Sequence, residues 1–220
     1  VNRLSMFKAL KARLGPRGIL RHGSGLLLCV VLATTGSGAS ADPGVELTDE
    51  EFLSSDPVVT KLKPERAHGS GFKMVYSVAA APATYWRYRT DFEGQLVLQN
   101  KFIKSHRLVS RDGNTAVTET VYTNKPNTVF KWQTTVFPDR KLLEYELLNP
   151  AECGQRYHYG SVQLEALNAG TRVTHIAYFD FFGVSLWVNY PFKGGMSRFL
   201  KYTANWEQQL VAEFDRHYAD

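Results

Sequence analysis

The stretch Gly195-Met196-Ser197-Arg198-Phe199-Leu200-Lys201-Tyr202-Thr203-Ala204-Asn205-Trp206-Glu207-Gln208-Gln209-Leu210-Val211-Ala212-Glu213-Phe214-Asp215-Arg216-His217 decides the reading of this chain. Met196, Phe199, Leu200, Thr203, Trp206, Leu210 and Phe214 fall on one stripe at a 3.6-residue period. Arg198, Lys201, Asn205, Gln208, Glu213 and Arg216 lie opposite. The spacing predicts a helix over 195–217, roughly 35 Å long at 1.5 Å per residue. Such a helix needs a broad apolar surface to cover.

The preceding sequence has the period of that surface. Six segments of strand length follow one another, at 101–110, 115–123, 128–137, 141–148, 155–167 and 171–182. Between them stand Asp112-Gly113-Asn114, Asn124-Lys125-Pro126-Asn127, Pro138-Asp139-Arg140, the Asn149-Pro150 to Gly154 loop, and Asn168-Ala169-Gly170. These residue types accept or preset tight-turn dihedrals, so consecutive antiparallel hairpins are expected. An earlier strand, Phe72 to Ala79, precedes a helix opened by Pro82, which runs through Tyr85, Trp86 and Arg89 to about Phe92. The expected fold is α+β: a curved antiparallel sheet of about seven strands wrapped around a long C-terminal helix.

Ahead of this domain the composition changes. The chain has 220 residues, 26 Lys+Arg and 21 Asp+Glu, for a formal charge of +5. Six of the basic residues (Arg3, Lys8, Lys11, Arg13, Arg17, Arg21) and none of the acids lie in 1–41, leaving 20 basic against 21 acidic groups elsewhere, net −1. The basic run leads into Leu26-Leu27-Leu28-Cys29-Val30-Val31-Leu32-Ala33 and ends at Ala39-Ser40-Ala41. A charged segment, a short apolar core and an A-x-A site predict a secretory signal peptide over 1–41, cleaved after Ala41, and so a periplasmic or secreted protein. That apolar core is too short for a membrane anchor. After cleavage Cys153 is the remaining cysteine, so no intramolecular disulfide is expected.

Residues 42–70 read as an N-terminal extension, and 71–220 as the main domain. In the extension, Thr48 and Glu51 form a capping box for a short helix over 47–53, and Val58-Val59-Thr60 reads as an edge strand.

Strand parity separates two faces, and the apolar one must meet the helix. It turns Phe130, Trp132, Thr134 and Val136 inward, with Leu143, Tyr145 and Leu147. Val162, Leu164 and Ala166 bring His158 with them; Val173, Ala177, Phe179 and Phe181 bring His175. In 115–123 parity allows either face, and the choice with Val117 and Val121 inward carries Glu119 to the same side. Tyr145, His158, His175 and Glu119 are thus polar groups on an apolar concave face, where each needs a partner in the protein or in a ligand. Phe130, Trp132, Phe179 and, from the helix, Trp206 form the apolar wall of the same candidate site.

Several motifs resemble the START-like helix-grip superfamily, which includes the polyketide cyclase/dehydratase-like and coenzyme Q-binding families. Val78-Ala79-Ala80-Ala81-Pro82 followed by Trp86 is similar to that group's first-strand exit. Thr90-Asp91-Phe92-Glu93 is similar to its D-F-E segment, and the sequence departs from the pattern at Gly94-Gln95-Leu96. The resemblance implies a deep apolar cavity between sheet and helix. Together with the export signal of 1–41, it implies an exported protein that binds, and transfers, a hydrophobic small molecule such as a lipid or isoprenoid. The alternative it implies is a cyclase/dehydratase-type enzyme acting on an aromatic or polyketide substrate, with an inward His as acid or base.

Other chemistries lack their residues. His158 and His175 have no third metal ligand at a fixed spacing, Gly194-Gly195 is not a phosphate loop, and no G-x-S-x-G elbow occurs. No cofactor, metal or nucleic-acid partner is expected, the last because the net charge outside 1–41 is −1. The aromatic-rich 181–192 segment, lying between the last strand and the helix, reads either as a buried crossover or as a cavity mouth with transient membrane contact.

Overall fold

In a computed structural model, the protein is described over residues 55–66, 68–182 and 195–218, together with Glu51. The signal peptide, the 47–53 helix with its capping box, and 183–192 of the aromatic segment lie outside the described residues, apart from Glu51.

Eight strands form one antiparallel sheet: β1 (Val58–Leu62), β2 (Ser70–Val78), β3 (Ile103–Asp112), β4 (Thr115–Tyr122), β5 (Val129–Phe137), β6 (Leu142–Leu147), β7 (Gln155–Leu167) and β8 (Gly170–Phe181). Helix α1 (Pro82–Arg89) follows β2, and α2 (Gly195–Tyr218) follows β8. The strand order is β1-β2-β8-β7-β6-β5-β4-β3. The count is eight rather than about seven because the strand expected at Val58–Thr60 extends to Leu62 and pairs along β2. The sheet therefore takes in part of the 42–70 segment.

Turn chemistry sets the hairpins. Gly113 has φ 53°, which its lack of a side chain permits, at the β3–β4 turn. Lys141 takes a left-handed φ of 49° after the Pro138–Arg140 turn. Asn149 stands in for backbone at the end of β6: its Oδ1 accepts from Lys131 N–H at 2.9 Å, and its Nδ2 donates to the Val129 carbonyl at 2.9 Å.

Helix α1 stops at Arg89 rather than Phe92. The Asp91 carboxylate explains the break, because it accepts the backbone N–H groups of Leu96 and, at 3.0 Å, Val97, tying down a 3-10 turn at Val97–Gln99. The α1 N-terminus has no cap of its own. Asp215 of α2 supplies one, accepting from Ala81 N–H at 3.1 Å and from the Thr84 hydroxyl.

The line of α2 that meets the sheet is Leu200, Ala204, Leu210, Val211 and Phe214, all buried, with Glu207 between them. Trp206 and Thr203 sit on its flank, half-buried. Gln208 Nε2 adds a 2.7 Å bond to the Ser77 carbonyl. The core between sheet and helices includes Phe72, Met74, Tyr76, Val162, Leu164, Val173 and Phe179.

Candidate binding site

The sheet and α2 enclose a cavity of about 550 Å³, within the 300–1,000 Å³ range usual for small-molecule sites. The apolar part of its wall includes Met74, Phe92, Leu143, Val162, Phe199 and Leu200.

Four of the residues expected from parity are brought together there: Trp132, Tyr145, His158 and His175. The Tyr145 hydroxyl is 2.7 Å from His175 Nε2. The Trp132 and His158 rings meet edge-on, with centroids 5.0 Å apart at 82°. Trp132 Nε1 and His158 Nδ1 are buried without a protein partner. Desolvation lowers the pKa of His158 to about 4. It also lowers that of His175 to about 3, helped by the positive charge of Arg89 and by His158. Both imidazoles are neutral at pH 7. Burial pushes the Tyr145 phenol upward, so it too stays protonated.

The other expected residues are placed differently. Glu119 faces the outside of the sheet, not the cavity, where its carboxylate meets Arg107 and, at 3.7 Å, Lys131. Its register partners on both sides are those same two residues, so a cross-strand charge triplet fixes the parity. Thr118, Thr120 and Tyr122 face the cavity instead. Phe130 lies in a separate small cluster with Leu147 and Cys153, behind Trp132. Phe179 backs His158 at 5.5 Å between ring centroids and stacks on Phe72, so it supports the wall without lining it. Trp206 packs edge-on against Phe102, under Lys101 Nζ at 3.7 Å from its ring centroid. It is outside the cavity because the inward line of α2 runs through Ala204 and Glu207.

A second polar group in the wall was not expected from the sequence. Arg89 of α1 and Glu207 of α2 form an ion pair at 2.8 Å, with side chains only 23% and 14% exposed. Glu207 also accepts from Tyr85 at 2.7 Å and Tyr76 at 3.1 Å. Desolvation works against the Arg89 charge, but Glu207 and the neighbouring tyrosines more than offset it, and its pKa is raised. Asn100 Nδ2 donates to Tyr88 at 3.2 Å. On the far side, His106 Nδ1 is 2.9 Å from the Thr120 hydroxyl.

No protein-family model matches the sequence, and no curated protein matches it significantly. Solved structures do match. The Zhui aromatase/cyclase of a Streptomyces species superposes with a TM-score of 0.54 at 12% identity, over 70% of this chain and 97% of that one. Ara h 8.0201 superposes with a TM-score of 0.50 at 12% identity, over 67% and 97%. A STAR-related lipid transfer protein from Xanthomonas axonopodis aligns at 0.48 and 12%, over 61% and 84%. At these identities the likeness is one of fold, and this chain has the helix-grip, START-like fold.

Proposed function

We propose that this protein binds a hydrophobic small molecule in the cavity between its sheet and α2. The observation that carries the reading is the cavity wall itself. It is mainly apolar, yet Trp132 and His158 each bring to it a buried nitrogen that no protein group satisfies. Unsatisfied buried polar atoms cost about 1–3 kcal/mol each. A ligand that meets them recovers that cost, while its apolar body gains from leaving water. Native mass spectrometry on protein purified under mild conditions tests this. A bound small molecule, or stoichiometric uptake of an added one, is expected; a chain that neither carries nor takes up any apolar molecule overturns the reading. Transfer between membranes is a further step of the same proposal, tested by movement of cargo between vesicles.

The 2.7 Å Tyr145–His175 pair favours a second reading, an acid–base enzyme of the cyclase/dehydratase kind. Zhui is named an aromatase/cyclase. Against it, burial moves both pKa values further from pH 7: His175 becomes a weaker base and Tyr145 a weaker acid. Binding is therefore the preferred function. Turnover of an aromatic polyketide that vanishes in His175→Gln would reverse that preference.

Export belongs to the same proposal and rests on the basic and apolar segments of 1–41 and on Ala39-Ser40-Ala41. The mature protein is then expected outside the cytoplasm with Asp42 as its first residue, which N-terminal sequencing of the fractionated protein decides.

A further inference from the structure

The charges and the unsatisfied donors of the cavity wall lie in different places, and their separation bears on the kind of ligand. The wall holds one cation, Arg89, against two carboxylates, Asp91 and Glu207, among the described residues. Arg89 directs Nη2 at Glu207 and both Nε and Nη2 at Tyr85, so its charge is compensated within the protein. The groups without protein partners are uncharged: the Trp132 indole N–H, which only donates, the neutral His158 imidazole, and, on the far side, His106 Nε2, whose imidazole burial also holds neutral. An ionised headgroup entering this wall would leave water and meet no free counter-charge, which is costly in a low-dielectric site. A carbonyl or hydroxyl oxygen enters at far lower cost and accepts from the indole N–H.

We infer that the cavity takes an uncharged amphiphile carrying a carbonyl or hydroxyl oxygen, held by Trp132 Nε1–H and His158, and discriminates against the ionised carboxylate of similar chain length. The inference rests on the binding reading above and narrows it to a ligand class. It also assigns a role to the Arg89–Glu207 pair: Glu207 masks the one cation among the described wall residues, which would otherwise attract an anion.

The test compares 2-tridecanone with dodecanoate, two chains of similar length, by calorimetric titration and native mass spectrometry at neutral pH. The ketone is expected to bind at least about tenfold more tightly, the size of effect that follows from satisfying one buried donor. Trp132→Phe and His158→Phe are each expected to weaken the ketone about tenfold. Glu207→Gln, which unmasks Arg89, is expected to narrow or invert the preference. Equal or tighter binding of dodecanoate to the unmodified protein overturns the inference while leaving the binding reading standing. Failure of both probes to bind overturns both. The comparison on the unmodified protein decides the matter even if a variant fails to fold.

Discussion

The Tyr145 hydroxyl reaches His175 Nε2, 2.7 Å away, by passing over Gly160. Tyr145 is paired with Gly160 across β6 and β7, and His175 with Val162 across β8 and β7, so the contact is diagonal over one intervening strand. A Cβ at residue 160 would sit 2.7 Å from the Tyr145 hydroxyl oxygen and collide with the Ile176 carbonyl. Gly160→Ala is therefore expected to destabilise the fold by about 1–3 kcal/mol, as overpacking does. Urea denaturation checks this; unchanged stability would mean that β7 has more room than the geometry allows.

The Arg89–Glu207 pair predicts non-additive mutations. Glu207→Ala leaves the Arg89 guanidinium in a largely enclosed wall and removes the acceptor of Tyr85 and Tyr76. It is expected to cost about 3 kcal/mol. Arg89→Met combined with Glu207→Leu is expected to cost clearly less than the two single changes together, because neither charge is then stranded. A double-mutant cycle from denaturation midpoints measures the coupling.

Acid should destabilise the protein through its buried histidines. The folded-state pKa is about 4 for His158 and about 3 for His175, both below the ordinary value of 6.5. Between these values the unfolded chain binds protons that the folded one does not. Stability is therefore full above the ordinary histidine pKa and falls as pH drops through 6.5 toward 4, steepening to about 1.4 kcal/mol per pH unit for each histidine. Denaturation midpoints at a series of pH values report the slope, and His158→Phe should remove about half of it.

The outward placement of Glu119 makes a discriminating pair of variants. Glu119→Ala removes an outer-face charge contact and is expected to change stability by no more than about 1 kcal/mol, with ligand uptake unaltered. Thr120→Val, one residue along, deprives His106 Nδ1 of its partner inside the cavity. It is expected to cost about 1–3 kcal/mol and to alter uptake. Reversal of that order would restore the parity in which Glu119 faces in.

Cys153 is fully buried, and desolvation raises its thiol pKa to about 11. It is expected to resist iodoacetamide in the folded protein and to react once urea has unfolded it. Rapid labelling of the native protein would show that the 149–154 loop opens readily.

The sequence carried the sheet and much of the site, through alternation. Trp132, Tyr145 and His175 each have apolar residues two positions away on the same strand, and His158 shares the parity of Val162 and Leu164 further along β7; those residues fix the face. Alternation failed at β4, where the valines face out and the threonines face in, because a strand that lines a cavity does not need its most apolar side inward. Trp206 is misplaced, and Glu207 goes unread, for a related reason. A large aromatic beside a carboxylate on a helix reads as core beside solvent. The pairing that admits Glu207 depends on Arg89, 118 residues away, which no local period reveals. A signal was available in the small Ala204 between Leu200 and Val211, spaced along the same line of the helix as Glu207.

The pairing of β2 with β8 also has a consequence in time. Along its β8 edge, every residue of β2 finds its neighbour roughly a hundred positions later in the chain. During synthesis the hairpins from β3 onward can close as they emerge, whereas β2 and α1 wait for β8. Helix α2, which contributes Phe199, Leu200, Thr203, Ala204 and Glu207 to the cavity, is made after all eight strands. The concave face is thus built before its lid. A growing chain that stops short of α2 presents an uncovered basin, and the cavity takes its shape only once the first turns of that helix have been laid across it.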